Sequence, residues 1–388
     1  MSGRDQLCPT FRARQGAALT LVFAGVLVAG AVTGAFPDPD HTARRTTAEP
    51  VGAARHEDVR EAAARAMADG TSPMEAAERA VSRSGDRWGA VYSEAEYQEF
   101  QDSLDGRYTG VGLSAAREQD GRIEVTGVRP GSPAAAAGIR TGDRLRSVDG
   151  ARADGLPVTE VVSRLRGDAD DAPAGTTVTL GLQRGGRAWT ETLHRARLCT
   201  DSVTVTRPSG PVTVIRVAAF TRGTGAEVRA ALRAAPAGDG IALDLRGNSG
   251  GLVSEAVAAA SAFLDGGLVA TYDVDGAQRA LHAERGGDTS RPLVVLVDGG
   301  TMSAAELLTG ALQDRGRAVV IGSRTFGKGS VQMPTNLPDG SVAELTVGHY
   351  RTPSGHVVDG RGITPDLEAG DSVLRRAETV LAGLGDAD

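Results

Sequence analysis

Hydrophobic and polar positions divide the chain into four regimes. From Gln15 to Pro37 no residue is charged, and the segment from Ala17 to Phe36 is mostly Ala, Leu, Val and Gly, about the 20 apolar residues that a bilayer-spanning helix needs. From Asp38 to Arg55 the chain is polar and contains proline. A helical regime follows over residues 56–103: Ser72-Pro73-Met74-Glu75 combines an N-cap serine, proline at the first helical position and glutamate three residues on, and Ser93-Glu94-Ala95-Glu96 repeats the logic. Tyr97 and Phe100 are spaced to share one helix face. From Tyr108 to Arg197 the pattern becomes short β-type runs, such as Ile123–Val128, Arg144–Val148 and Thr177–Leu182, broken by Gly and Pro. The last regime alternates strand-type runs (Val212–Val217, Ile241–Leu245, Leu293–Val297, Ala318–Ile321) with helix-type runs (Glu227–Ala234, Leu252–Phe263, Ala304–Leu312). Such alternation predicts an α/β domain. The implied organisation is a leader over residues 1–36, a polar linker over 37–55, a helical region over 56–105, a β-rich domain over 106–197, an α/β domain over 198–370 and a C-terminal segment over 371–388.

Arg4, Arg12 and Arg14 precede the apolar stretch. Positive residues on that flank predict that the N-terminus stays in the cytoplasm and the remainder lies beyond the cytoplasmic membrane. The stretch is read as a signal anchor, with a cleaved, secretory signal peptide as the alternative and Ala29-Gly30-Ala31 as its cleavage site. At 388 residues the chain has room for two or three domains. Its 52 glycines and 17 prolines stay below the share that marks low-complexity chains. Aromatic residues make up 4% and no Lys/Arg block is interleaved with them, so nucleic acid is excluded as the main partner. Cys8 and Cys199 have no C-x-x-C or His-paired spacing, which argues against a zinc site or a disulfide framework. With the apolar stretch between them, they are expected not to pair.

In the β-rich regime, Gly110-Val111-Gly112-Leu113 sets an apolar residue between two glycines at the start of a strand. Several backbone N–H groups can converge there and hold a carboxylate. Gly131-Ser132-Pro133-Ala134 reads as a turn into a short helix, and Gly142-Asp143-Arg144-Leu145 as a turn into a strand. With these motifs in this order, residues 108–197 resemble a PDZ domain. That resemblance implies recognition of protein or peptide C-terminal tails by strand addition.

Chemistry concentrates in the α/β regime. Ser303 follows an apolar strand and a short turn and precedes a helix, so the Ala304 N–H is placed to donate to an oxyanion. Of 42 basic residues, 41 are arginine and one, Lys328, is lysine; it stands in Thr325-Phe326-Gly327-Lys328-Gly329-Ser330. A desolvated lysine can lose its proton and serve as a general base, which arginine cannot do. Gln332 falls on the same face of an extended segment and is placed to orient that lysine. Gly250, in Arg246-Gly247-Asn248-Ser249-Gly250-Gly251, offers a second oxyanion N–H. The same loop fits G-x-S-x-G, so Ser249 is a rival nucleophile, with Asp339 and His349 or His356 as downstream partners.

Taken together, Ser303, Lys328 and the Asp244–Gly251 loop resemble the carboxyl-terminal processing, or tail-specific, protease family. The resemblance runs from Tyr92-Ser93-Glu94-Ala95-Glu96-Tyr97 to Tyr350-Arg351-Thr352-Pro353-Ser354-Gly355 and Gly360-Arg361-Gly362-Ile363-Thr364-Pro365-Asp366. It implies an α/β catalytic core related to ClpP and crotonase with an inserted PDZ domain, Ser303 as nucleophile, Lys328 as general base and Gln332 as its orienting group. It implies no metal and no cofactor. Ala305 stands where the family commonly has a second serine, and the Arg166–Gly175 loop is longer and more acidic than usual. The expected activity is that of a membrane-anchored serine endopeptidase. The alternatives are a Ser249-based hydrolase and a noncatalytic PDZ adaptor.

Overall fold

The computed structural model describes residues 56–385 apart from 119, 157, 167–171, 209, 275–276 and 371, together with the backbone of Thr20–Leu21. The expected polar linker, Cys8, Arg4, Arg12, Arg14 and most of the apolar stretch therefore lie outside the described residues, as does the middle of the Arg166–Gly175 loop. Thr20–Leu21 is extended, not helical, because it pairs antiparallel with Gly251–Leu252 and meets Gln332. No helix among the described residues is long and apolar enough to cross a membrane. Cys199 is disulfide-bonded. This corrects the expectation that it stays unpaired, which assumed a bilayer between the two cysteines.

Two compact units emerge, one of residues 94–200 and one of residues 56–93 with 201–385. In the first, the strands Leu113–Arg117, Ile123–Val128, Arg144–Val148, Thr177–Arg184 and Arg187–His194 form an antiparallel sheet. Alternate residues such as Val178, Leu180 and Leu182 point into its core with Ile123, Val125 and Leu145. Ser132 caps the Pro133–Ala136 helix by accepting from the Ala135 N–H at 3.2 Å. The helix Glu94–Leu104 belongs to this unit instead of to the helices before it. Its Asp102 binds both Arg107 and Arg197, the two ends of an antiparallel strand pair formed by Arg107–Gly110 and Ala196–Cys199.

The second unit is built on a parallel run of strands in the order Val212–Val217, Gly240–Asp244, Leu293–Val297, Val319–Gly322 and Leu367–Glu368, with Val203–Thr206 antiparallel at one edge. Both faces of the central strands are covered, so they read as continuous apolar runs. The helices Thr224–Ala234, Val253–Phe263 and Ala304–Asp314 pack on one face through Val228, Ala256 and Leu308, and Val373–Gly385 packs on the other through Val373, Ala377 and Leu381. A second, antiparallel sheet contains Ala90–Tyr92, Leu268–Val274, Ser330–Asn336 and Val342–Arg351. The helices His56–Ala68 and Pro73–Ser84 bury Val59, Ala63, Ala77 and Val81 against its Ala343 and Leu345.

Three neighbouring parallel strands, Gly240–Asp244, Leu293–Val297 and Val319–Gly322, release their C-terminal ends side by side. Open parallel sheets present ligand sites at that edge. Here it gathers the Gly247–Gly251 loop, the turn before Ser303 and the loop carrying Lys328.

The helices Thr224–Ala234 and Val253–Phe263 approach closely at Gly225, where a Cβ would stand 2.4 Å from the Ala258 Cβ. Gly225→Ala is therefore expected to destabilise the protein by about 1–3 kcal/mol despite the better helix propensity of alanine. A urea unfolding series checks this as a lower midpoint at unchanged slope.

Candidate active site

Ser303 opens the Ala304–Asp314 helix with φ 59° and ψ −122°, a conformation outside the usual range for a residue with a side chain. The residue is fully buried and its Oγ has no hydrogen-bond partner. Serine at a helix start ordinarily caps the first turn. Here the positive φ turns the hydroxyl away from that task, while the Ser303 N–H donates to Glu306 Oε2 at 2.8 Å. The Ala304 N–H donates to no acceptor among the described residues. It remains available at the positive end of the helix.

Gly250 comes against this turn: a Cβ on it would lie 2.8 Å from the Ser303 Cβ and 3.2 Å from the Ala304 N. Its φ of 101° and this contact both require glycine. Its N–H, expected to be a free oxyanion donor, instead donates to Asn248 Oδ1 at 2.8 Å. The Asn248 side chain is in turn fixed by donating to the Val217 carbonyl. The loop is tied to the serine turn by Asp298, whose Oδ1 accepts from the Gly247 and Gly300 N–H groups at 2.9 Å each, and by the Met302 N–H donating to the Asn248 carbonyl.

Lys328 is only 2% exposed. Burial pulls its ammonium down from 10.5 to about 8, against the neighbouring carboxylates Asp86, Glu344 and Asp359, which favour the charged form. Its Nζ lies 4.7 Å from the centroid of the Trp88 ring. No hydrogen bond joins it to Ser303 Oγ. The two backbones are nevertheless held together: Glu306 Oε2 accepts from the Lys328 N–H at 2.9 Å as well as from Ser303, and Oε1 accepts from the Gly327 N–H and Thr325 Oγ1. Tyr350 adds a second clasp, its hydroxyl lying 3.0 Å from the Ser303 carbonyl and 3.3 Å from that of Lys328. Burial pushes the Tyr350 phenol well above its usual range, so it remains a donor. Burial also pushes Glu306 up, although hydrogen bonds from Thr325, Lys328, Ser303 and Gly327 favour its ionised form.

Gln332 is buried on the adjoining strand, as expected, but its Nε2 donates to Ser330 Oγ and Thr346 Oγ1, and its Oε1 has no partner. It does not yet receive the ammonium. The rival arrangement around Ser249 is not assembled. Asp339 accepts from Ser341, His349 faces Asp359 at 3.7 Å, and His356 bonds the Gly362 carbonyl; none is hydrogen-bonded to Ser249.

In the β-rich unit the Gly110–Leu113 segment forms the turn between strands Arg107–Gly110 and Leu113–Arg117. Gly112 takes φ 78° with Ser132 packed where a Cβ would stand. The Val111 and Gly112 carbonyls accept from the Ala134 and Arg129 N–H groups, whereas the Val111 and Gly112 amides donate to nothing among the described residues. Sequence reasoning missed Trp88, Asp86, Thr346 and Tyr350 as parts of the site.

Residues 211–369 match peptidase family S41, and residues 124–184 match the PDZ domain. The chain is 35% identical over 308 residues to carboxyl-terminal-processing peptidase 3, chloroplastic, of Arabidopsis thaliana, an alignment covering 74% of this chain and 58% of that protein. It is 34% identical over 290 residues to a carboxy-terminal-processing protease of Bartonella bacilliformis, covering 71% and 65% respectively. The chain thus spans 58–65% of the length of these curated relatives. Among solved structures, a photosystem II D1 C-terminal processing protease superposes with a TM-score of 0.51 at 30% identity, covering 81% of this chain and 86% of that one.

Glu306→Ala would strip three buried N–H groups and a hydroxyl of their acceptor, at about 1–3 kcal/mol for each group left unsatisfied. The expected outcome in urea unfolding is a loss of about 3 kcal/mol or more, with Glu306→Gln losing less because its carbonyl still accepts.

Proposed function

Because the chain belongs to peptidase family S41, the carboxyl-terminal processing proteases, we propose that it is a serine endopeptidase in which Ser303 is the nucleophile and Lys328 the general base. The observation that carries this reading is the pairing of an unpartnered, buried Ser303 hydroxyl at a helix start with a buried lysine on the loop clasped to it through Glu306.

Neutral Lys328 accepts the Ser303 Oγ proton as that oxygen bonds to the peptide carbonyl carbon. The resulting oxyanion accepts from the Ala304 N–H, and the Gly250 N–H joins once Asn248 releases it. The Lys328 ammonium then gives its proton to the leaving amine as the C–N bond breaks, leaving an acyl ester on Ser303. Water attacks the ester, Lys328 takes its proton, and the acid product departs as the proton returns to Ser303 Oγ. Because Ser303 Oγ and Lys328 Nζ are not hydrogen-bonded here, a side-chain rotation precedes the first transfer. Gln332 Oε1, buried and unpartnered, is the acceptor that would then hold the lysine.

The free amides of Val111 and Gly112 support capture of a C-terminal carboxylate by the PDZ domain. The substrates are therefore proteins or peptides presented by their tails. The apolar stretch behind Arg4, Arg12 and Arg14 supports a working place outside the cytoplasmic membrane, either anchored to it or released after signal cleavage.

Cleavage of an unfolded, tailed protein should fall at least ~10³-fold in Ser303→Ala and in Lys328→Arg and persist in Ser249→Ala. Retention in the first two, or loss in the third, overturns the assignment. Since the base must be neutral, kcat/KM is expected to rise with pH through about 8. The same lysine has its folded value lowered from 10.5 to about 8, so the folded protein binds fewer protons in that window and stability rises with pH across it. Peptides differing only in a free or amidated C-terminus test the tail reading: amidation should weaken binding to the PDZ domain by at least about tenfold, and equal affinity removes the carboxylate from the account.

A further inference from the structure

The catalytic chemistry proposed above uses no residue before Asn248, yet the loop Gly85–Gly89 reaches Lys328 from the helix Pro73–Ser84. Asp86 organises that loop. Its Oδ1 accepts from the Trp88 and Gly89 N–H groups at 3.1 and 2.9 Å and from Thr346 Oγ1 at 2.7 Å, and its Oδ2 accepts from the Thr346 N–H at 2.7 Å. Thr346 Oγ1 is also the acceptor of Gln332 Nε2 at 3.2 Å. The turn is tight enough that a Cβ on Gly89 would stand 2.7 Å from Val81 Cγ1. The indole it carries is fixed: Phe326 meets it edge-on at 5.9 Å and 62°, and the Arg87 guanidinium lies 4.9 Å from its centroid.

An aromatic face attracts an ammonium and has no comparable attraction for a neutral amine. In a cycle where lysine alternates between these two forms, a ring held 4.7 Å from Nζ therefore acts on one of them. We infer that Trp88 is a positioning residue that receives the protonated Lys328 on its face and thereby sets the pH at which the neutral base becomes available. Asp86 is its anchor, and through Thr346 the same carboxylate steadies Gln332. Asp86, Glu344 on the strand Val342–Arg351 and Asp359 before Gly360 also favour the ammonium, and the Arg87 guanidinium is another cation against the same indole. The inference rests on Lys328 being the base, but the contact it describes is observable without turnover.

The chain has two tryptophans. In a Trp189→Phe protein, Trp88 is the only indole, and its emission reports the ammonium beside it. The expected result is a single fluorescence transition with midpoint near 8, absent from the same protein carrying Lys328→Met. A flat emission with Lys328 intact, or a transition that survives Lys328→Met, overturns the inference. In the cleavage assay, the acid limb of kcat/KM should move about one pH unit lower in Trp88→Leu and return toward the wild-type position in Trp88→Tyr. An unmoved limb in a folded Trp88→Leu protein also overturns it. A Lys328-dependent fluorescence transition in a protein that cleaves nothing removes the protease reading and leaves the contact standing. A flat emission in an active protease removes Trp88 alone.

Discussion

A single oxygen, Glu306 Oε2, accepts from the amides of Ser303 and Lys328, so two backbones from different loops sit one hydrogen bond from the same point. The rest of the site follows from this constraint. A fully buried carboxylate is costly unless its lone pairs are filled. This one is filled by three amides and a hydroxyl, each of which must be delivered to it by the chain. The parallel sheet makes that delivery by ending Leu293–Val297 and Val319–Gly322 next to each other, and Tyr350 repeats the clasp on the carbonyl side. Ser303 pays in backbone strain for its place in the turn, about 1–3 kcal/mol for such a conformation. The surrounding bonds are what hold it there.

Desolvation does two different things within this small volume. At Lys328 it disfavours the ammonium and pulls it down to about 8. At Tyr350 it disfavours the phenolate and preserves a donor. Arginine at position 328 would remain charged under the same burial. Under the proposed base role, this accounts for one lysine among 41 arginines, since exposed basic positions carry no such requirement.

Much of this was legible in the sequence, because periodicity and turn chemistry are local. The strands Val212–Val217 and Leu293–Val297 have the predicted bounds, and the Ala304 helix starts where predicted. The S41 and PDZ matches bear out the two resemblances drawn from motifs. What escaped depends on contacts between distant segments. Glu306 lies three residues after Ser303, and nothing nearby in the sequence reveals that one of its oxygens holds Gly327 and Thr325. Trp88 falls inside the region read as helical, and nothing local marks it until the sheet brings Lys328 to it. The strand Val342–Arg351 is buried on both faces over its first half, which hides the alternation that would mark it. Gly250 was read as a free oxyanion donor, and the sequence does not show that the neighbouring Asn248 competes for its N–H.

The strand pair Arg107–Gly110 with Ala196–Cys199 has a consequence for the protein's architecture as a piece of engineering. Within residues 94–200 the pairing of Arg107–Gly110 with Ala196–Cys199 zips the two ends of the β-rich stretch together, so that stretch is one closed excursion of the chain. The closure entropy of such an excursion grows only with the logarithm of its length. To the catalytic unit, a long cassette and a short linker therefore differ little in cost. Glu306, Lys328 and Trp88 all lie outside the excursion, so none of the contacts among them depends on its length.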